Sequence, residues 1–190
     1  MERRSRKARA LRPQLNRKVV KPLTRHGATL DPRVAELIRT LDLKPHPEGG
    51  YYREIWRARL GVEPADGRGP RIALTAIYFL LPAGAVSRWH RVRSDELWQH
   101  CEGAPLELLQ VPADAGRLSR VCVGPFAPGQ APLHCVPAGW WQAAQSDGSY
   151  TLMTCAVAPG FEFADFELLS AHAELAAALC RALPEARPFV

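Results

Sequence analysis

The feature that most limits the fold is a series of short strand-like segments between residues 51 and 169. Turn-forming Gly, Pro, Asp and Ser separate the segments, so an extended helix has no room in this part of the chain. Such regular short strands are typical of an antiparallel sandwich or barrel, and they predict a mainly β protein. The predicted strands cover residues 51–56, 71–81, 85–92, 95–101, 105–111, 118–123, 133–137, 140–145, 149–157 and 161–169.

Short helices are predicted at both ends of this series. Asp31 is a good N-cap, Pro32 suits the first helical position, and apolar residues recur at helical spacing after it. These signals predict a helix over about residues 32–41. A second helix is predicted over about residues 171–183, where Pro184 stops it.

Charge divides the chain into a basic tail and a mildly acidic body. Residues 1–28 contain ten Lys and Arg and one acid, a balance of +9, whereas residues 29–190 contain 15 Lys and Arg and 18 acids, a balance of −3. The tail has no apolar periodicity and is predicted to be disordered, while residues 29–190 form one domain by size. Nucleic-acid binding is therefore expected only if the tail is functional.

The cysteines and the hydropathy indicate a cytoplasmic protein. The five cysteines are odd in number, lack Cys-x-x-Cys spacing and mostly have apolar neighbours, so we expect reduced core thiols. Thiols that stay reduced are typical of the cytoplasm. The longest apolar run, residues 72–81, is too short to cross a membrane.

Residues 84–103 carry the clearest chemistry. Two alternating segments flank a short polar turn, and pairing them as a hairpin places His90 and Glu96 on one face of a sheet. A histidine and a glutamate that face each other can bind a metal ion or transfer a proton. His100 shares the parity of Glu96 and Trp98, so it is also predicted to point toward this site.

The spacing in this hairpin resembles the first motif of the cupin superfamily, Gly-x5-His-x-His-x3-4-Glu-x6-Gly. Gly84, His90, Glu96 and Gly103 stand at the motif's spacing, whereas Val92 occupies the position of the second histidine.

A second cupin motif, Pro-x-Gly-x2-His, resembles the segment that begins at Pro137. Gln142 stands in place of its histidine, and Ser146 in place of the asparagine that ends the motif. Seven residues, instead of five, separate Gly129 from Pro137.

Longer phrases resemble the uncharacterised fifth cupin family, a domain of unknown function, over about residues 33–170. The resemblance implies a jelly-roll sandwich like that of the deoxysugar epimerases and related cupins. The activity of this family is not established, so the resemblance leaves the chemistry open. The phrases are residues 45–51, 75–81, 94–98, 136–140 and 157–166.

Cupin metal sites usually use three histidines and one glutamate, so the resemblance implies a divalent transition metal at these positions. Here His90 and Glu96 keep their positions, and Gln142 offers a neutral oxygen that binds transition metals more weakly than imidazole. Two alternatives stay open: a metal held by His90, Glu96 and Gln142, or a metal-free pocket with an acid–base pair.

The leading hypothesis is a cupin barrel that binds a small polar molecule, with a sugar derivative as one expected class. Catalysis would resemble that of an epimerase or isomerase, with His90 as base and Glu96 orienting it. Tyr51, Tyr52, Tyr78 and Tyr150 are the candidates for the opposing acid. The alternatives are a metal-dependent oxygenase or isomerase, and a non-catalytic protein whose tail contacts nucleic acid or an acidic partner.

Other polar and aromatic residues complete the predicted ligand site. Arg88, Arg91 and Arg93 are candidates for binding an anionic substrate. Several Trp and Phe side chains are candidates for lining the pocket wall. The predicted ligand-binding residues are Trp98, His100, Gln142, Tyr78, Arg88 and Trp140.

The loop before the first strand is a separate candidate. His46 and Glu48 lie between prolines and paired glycines, where they would form a second site, fix the loop or contact a partner subunit. A homodimer is expected, partly from the resemblance and partly because strand 51–56 can pair with a partner sheet.

Overall fold

The computed structural model describes residues 31–113 and 117–190. In these ranges the chain forms two α-helices, α1 (Pro32–Thr40) and α2 (Ala173–Ala182), and short 3-10 helices at Phe163–Asp165, Leu169–Ala171 and Pro184–Phe189. Its strands are β1 (Lys44–Pro45), β2 (Tyr51–Arg57), β3 (Gly61–Val62), β4 (Arg71–Ile72), β5 (Thr75–Pro82), β6 (Val86–Val92), β7 (Asp95–Gly103), β8 (Leu106–Val111), β9 (Ser119–Val123), β10 (Gln130–Ala131), β11 (Leu133–Val136), β12 (Trp141–Ser146), β13 (Tyr150–Ala158) and β14 (Phe166–Leu168).

Two six-stranded sheets build the body of the protein. The first has the strand order β1-β2-β5-β13-β7-β11 and the second the order β10-β9-β8-β12-β6-β14, while β3 and β4 form a separate pair. Within the two large sheets the pairing is antiparallel except between β9 and β10. Consecutive strands β6 and β7 lie in different sheets, so their turn connects the two layers. The prediction that these two strands pair as a hairpin in one sheet was therefore wrong. This arrangement confirms the predicted mainly β jelly roll.

The core between the sheets is apolar and fully buried. Phe79 and Trp98 from the first sheet pack with Leu106 and Leu108 from the second. Burying such side chains contributes about 1.5–3 kcal/mol each to folding. This core holds the two sheets together and fixes which side chains of β6 and β7 face inward.

A second apolar cluster lies where the C-terminal helices cover the second sheet. Trp89 and Trp141 pack with Leu179 of α2 and with Phe189, and the indole nitrogen of Trp89 donates a hydrogen bond to the Ala186 carbonyl at 3.0 Å. Trp89 and His90 therefore point to opposite sides of β6, as neighbours on a strand do. The outer cluster anchors the strand that carries His90.

Helix α1 follows its sequence signals. The Asp31 side chain accepts a hydrogen bond from the Arg33 backbone N–H at 2.7 Å, Pro32 opens the helix, and Val34 and Leu37 are buried. Helix α2 lies within the predicted 171–183 segment. The predicted basic tail, residues 1–28, lies outside the described residues.

Two predicted strands differ from the structure. Residues 71–81 divide into β4 and β5, because the backbone at Ala73 and Leu74 pairs with the segment 58–60. Residues 161–169 form a 3-10 turn and the short β14, not one strand. Phe161, Phe163 and Phe166 all face one cavity, and this spacing breaks the alternation of a strand.

The cysteines agree with the prediction in one respect and differ in another. All five are free. Cys155 is buried, but Cys101 and Cys135 are exposed, so the expectation that most are core residues was wrong. No helix in residues 31–113 and 117–190 is long and apolar enough to cross a membrane.

Strand β2, the segment predicted to pair with a partner, has an exposed end. Its pairing with β5 shifts register between Glu54 and Trp56, and Ile55 and Trp56 are both exposed. The homodimer itself stays a prediction.

The loop between β1 and β2 depends on a glycine. Gly49 has φ 121°, a conformation that disfavours other residues, and a Cβ placed on it would overlap the Val86 carbonyl of β6. The loop backbone is thereby pressed against β6, where the Arg88 N–H donates to the Glu48 carbonyl at 2.9 Å.

We predict that Gly49→Ala lowers the free energy of unfolding by about 2–4 kcal/mol, because it adds a steric overlap to an unfavourable φ. Urea denaturation measures the change. Gly67→Ala is the matched control, since Gly67 also has positive φ but an added Cβ would meet nothing within 4 Å; it should cost about 1 kcal/mol. Equal losses for the two variants would contradict the close approach of the loop.

Candidate functional site

A cavity of about 320 Å³ lies at the inner face of the first sheet. Strands β2, β5, β6, β7 and β13 contribute lining residues, and so do the loop at 46–48 and the segment 161–166. Its wall is largely aromatic. Its buried acidic and imidazole groups lie on the loop, β6 and β7, whereas the more exposed Glu54 and Glu162 lie on β2 and the segment 161–166. The residues with titratable chemistry in its buried part are His46, Glu48, His90, Glu96 and Cys155.

Glu48 lies at the centre of the polar groups. Its carboxylate accepts a hydrogen bond from the Ser87 hydroxyl at 2.8 Å, and its Oε2 lies 3.3 Å from His90 Nε2 and 3.3 Å from His46 Nδ1. Glu48, His90 and Ser87 are all nearly fully buried. A buried carboxylate requires such partners, because desolvation penalises its charge.

A β-bulge in β6 brings two of these partners to the same side. Gln142 pairs with His90 and Ala144 pairs with Ser87, so β6 has one more residue than β12 between the two pairs. Without the extra residue, Ser87 and His90 would lie on opposite faces.

The geometry fixes a proton on His90. Its Nδ1 lies 2.8 Å from the Arg88 carbonyl, which can only accept, so Nδ1 must donate. Nε2 then faces the carboxylate oxygen of Glu48 at 3.3 Å. This places the second ring nitrogen of His90 next to the Glu48 carboxylate, where a proton on Nε2 would be stabilised by the negative charge.

Glu96 has different partners. Its Oε2 accepts a hydrogen bond from Gln142 Nε2 at 2.6 Å, and the Gln142 oxygen accepts one from Trp98 Nε1 at 2.9 Å. All three side chains are buried. The carboxylate in contact with His90 is therefore that of Glu48, and the predicted orientation of His90 by Glu96 gives way to orientation by Glu48 and the Arg88 carbonyl.

The Trp98–Gln142 hydrogen bond bears on metal binding. An indole N–H can only donate, so it fixes the amide with its oxygen toward Trp98 and its nitrogen toward Glu96. The amide thus offers an N–H, not an oxygen, beside Glu96. Within residues 31–113 and 117–190 there is no group of three or more His, Cys, Asp and Glu arranged to hold a metal ion. The predicted His90, Glu96 and Gln142 set does not fit a metal.

The two buried carboxyl groups have opposite pKa shifts. Burial alone would raise the pKa of Glu48, but the charges of His90 and His46 and the hydrogen bonds from His46 and Ser87 hold it below its ordinary value. Burial is the largest influence on Glu96 and raises its pKa. The charge of His90 and the hydrogen bond from Gln142 act against this, while the charge of Glu48 adds to it. One carboxyl is therefore stabilised as an anion and the other as a neutral acid.

Several predicted residues lie in or next to the cavity. His90, Glu96 and Trp98 line it, and Gln142 lies behind Glu96, to which it is hydrogen-bonded. Val92, at the position of the motif's second histidine, contributes an apolar wall.

Other predicted residues do not line the cavity. Tyr78 alternates with Ile77 and Phe79, which do line it, so its side chain points to the other face of β5. His100 is held by the Gly103 and Ala104 carbonyls at 3.2 and 3.3 Å, beyond the end of the cavity.

Arg88 and Trp140 have structural roles instead. The Arg88 guanidinium donates to the Pro47 and Glu48 carbonyls and so fastens the loop. Trp140 packs against the core between the sheets. Of the tyrosines considered as acids, Tyr52 lines the cavity, whereas Tyr150 donates to Glu102 at 2.7 Å.

His46 and Glu48 belong to the same site as His90, although the sequence suggested a separate one. Their Pro-Gly-rich loop was a visible signal, but its docking on β6 depends on contacts between residues about 40 positions apart. The imidazole of His46 also packs edge-on against Tyr52, with ring centroids 4.6 Å apart.

The two-layered sheet with motif residues turned into its interior is a cupin architecture. The chain belongs to the family described as Cupin superfamily (DUF985), whose model matches residues 35–169. No curated protein matches the sequence.

Solved structures of similar proteins support this assignment. A hypothetical protein from Leishmania major is 32% identical, with a TM-score of 0.70, over 82% of this chain and 95% of its own. A protein from Shewanella oneidensis is 33% identical, with a TM-score of 0.72, over 81% of this chain and 94% of its own. Oxalate decarboxylase from Bacillus subtilis is 16% identical, with a TM-score of 0.53, over 76% of this chain and 35% of its own, and shares the fold alone.

We predict that Ser87→Ala raises the pKa of Glu48, because it removes a hydrogen bond that favours the carboxylate. Carbon-13 NMR of the glutamate carboxyl groups during a pH titration measures the change. Ser94→Ala is the matched control, since Ser94 is equally buried but accepts from Arg68 instead. An unchanged Glu48 titration in Ser87→Ala would contradict the assigned contact.

We predict that Asp165→Asn lowers the free energy of unfolding by about 2–4 kcal/mol at neutral pH, because it breaks a buried pair with Arg71. Hydrogen bonds from Arg71, together with the charges of Arg71 and Arg68, hold the pKa of Asp165 below its ordinary value against burial. Since the folded pKa lies below the unfolded one, this stabilisation is present above the unfolded pKa and is lost as pH falls through the folded pKa.

Chemical denaturation at several pH values tests this expectation. The difference in the free energy of unfolding between Asp165→Asn and the wild type should become smaller in acid. Glu36→Gln is the control, because its pair with Arg33 is exposed and should change stability by less than about 1 kcal/mol. A gap that does not depend on pH would contradict the role of the Asp165 charge.

Proposed function

We propose that the cavity binds a small polar organic molecule, such as a sugar derivative, and catalyses proton transfer at a carbon beside a carbonyl group, as epimerases and isomerases do. The observation that carries this proposal is the pair of buried carboxyl groups, Glu48 and Glu96, whose pKa values are shifted in opposite directions beside one histidine. Titratable groups separated in this way are typical of acid–base catalysis.

His90 is the proposed base. Nδ1–H donates to the Arg88 carbonyl, so in the neutral imidazole the free lone pair is on Nε2. Nε2 takes the proton from the substrate C–H, and the Glu48 carboxylate stabilises the imidazolium that forms. Ser87 and His46 hold Glu48 in place and are positioning residues.

Glu96 is the proposed acid, because its neutral form is favoured by burial and by Glu48. It donates its proton to the carbonyl oxygen while the C–H electrons form the carbon–carbon double bond of an enol. Return of a proton to carbon then gives an isomer or epimer. Gln142 and Trp98 orient the Glu96 carboxyl group through their hydrogen bonds.

The metal-dependent alternative has less support in the donor set. The Gln142 amide presents its N–H beside Glu96. Its oxygen, the predicted third ligand atom, points toward Trp98 instead. The third alternative, a non-catalytic protein that acts through its basic tail, depends on residues outside the described ranges.

We predict that the wild type exchanges substrate C–H protons with D₂O and that His90→Gln slows this exchange by about 10²-fold or more, while ligand affinity changes little. Proton NMR of unphosphorylated reducing sugars and amino sugars in D₂O is the measurement. His134→Gln is the matched control, because His134 contacts Gln110 and does not line the cavity.

The result that contradicts the proposal is full exchange activity in His90→Gln. Exchange with none of these sugars would contradict the sugar-like substrate class.

A further inference from the structure

We propose that the cavity selects a small organic cation, such as a molecule that carries a protonated amine, over an anion of the same size. This inference rests on the proposed function, because it concerns the ligand of the same cavity. It is carried by the charges that line the cavity, by the arginines that do not line it, and by its aromatic wall.

Carboxyl groups outnumber Lys and Arg in the lining, although burial favours the neutral form of one of them, Glu96. Glu48, Glu54, Glu96 and Glu162 all line the cavity, and Arg57 is the single Lys or Arg among the described lining residues.

The positive charge of Arg57 is already paired. Its guanidinium donates two hydrogen bonds to Glu54 at 2.8 and 2.9 Å and one to Glu162 at 2.9 Å. One guanidinium between two carboxylates leaves this group of three with a net negative charge. An anionic ligand would therefore have to displace a carboxylate from Arg57 in order to pair with it.

The arginines that flank His90 in the sequence contact groups outside the cavity. Arg91 donates to Glu167 at 2.9 Å and lies over the Trp141 ring at 4.7 Å. Arg93 lies 3.4 Å from an Asp66 carboxylate oxygen, and Arg88 donates to loop carbonyls. The sequence-based candidates for binding an anionic substrate therefore do not serve the cavity.

The wall offers aromatic surface in place of cationic groups. Tyr52, Phe79, Phe161, Phe163 and Phe166 line the cavity. Aromatic side chains close to carboxylates favour organic cations, because ring faces attract positive charge and the carboxylates supply the long-range field. A phosphate or carboxylate ligand typically requires free Arg or Lys side chains.

Cys155 provides a probe inside the cavity. It lines the cavity and is a free thiol, whereas Cys101 is free and exposed on β7. Three methanethiosulfonate reagents differ in charge: the ethyltrimethylammonium cation, the ethylsulfonate anion and the neutral methyl reagent. The thiolate sulfur attacks the reagent, a disulfide bond forms, and methanesulfinate leaves with the electron pair of the broken sulfur–sulfur bond.

The experiment uses the wild-type chain under single-modification conditions, with peptide mass spectrometry to measure the rate at each cysteine. Burial raises the pKa of the Cys155 thiol well above its ordinary value. This slows all three reagents alike, so the ratio of cation to anion rates still reports the local field. Cys101 in the same molecules gives the reference ratio.

We predict that the cation-to-anion rate ratio at Cys155 exceeds the ratio at Cys101 by about tenfold or more at low salt. Added salt should reduce the difference. Glu54→Gln and Glu162→Gln should each lower the ratio at Cys155, whereas Glu36→Gln, which changes an exposed carboxylate on α1, should not.

The outcomes separate the two proposals. Equal ratios at the two cysteines, or a preference for the anion at Cys155, would overturn the inference and leave the proposed function standing. Failure of even the neutral reagent to modify Cys155 in alkaline solution, where the thiolate forms, would show that the cavity does not admit small molecules, and it would overturn the proposed function.

Discussion

The buried charge of Glu48 is the constraint on which the site depends. A carboxylate removed from water must be compensated, and here Ser87, His90 and His46 supply the compensation from two separate parts of the chain. The same contacts dock the loop before β2 onto β6. The position of the loop and the geometry of the polar centre therefore depend on the same contacts, and Gly49 permits them by allowing the close approach to the Val86 carbonyl.

The fold and half of the polar centre could be predicted from the sequence. Turn residues and alternation give most strands, and motif spacing places His90 and Glu96 in one interior. Such inference works where the relevant contacts are local or follow strand parity. It works less well for Glu48, whose contact with His90 spans about 40 positions, and for Ser87, whose direction depends on a bulge.

Parity alone also misplaces residues at strand ends. His100 has the parity of Glu96, but its ring is held by the carbonyls of Gly103, the last residue of β7, and Ala104, outside the cavity lining. In the segment 161–169, three phenylalanines turn to one side because the chain makes a 3-10 turn there. Neither feature has a local sequence signal as strong as alternation.

The segment 161–166 is fixed at both ends and contributes both aromatic wall and the Glu162 carboxylate to the cavity. The Phe161 N–H donates to Thr75 Oγ1 at 2.9 Å, and Arg71 donates two hydrogen bonds to Asp165. Phe163 lies between these anchors, whereas the Phe166 ring packs beside His90, with ring centroids 5.6 Å apart. A substitution at Phe166 would therefore alter the surroundings of the His90 imidazole, whereas a substitution at the half-exposed Phe163 would first alter the wall of the cavity.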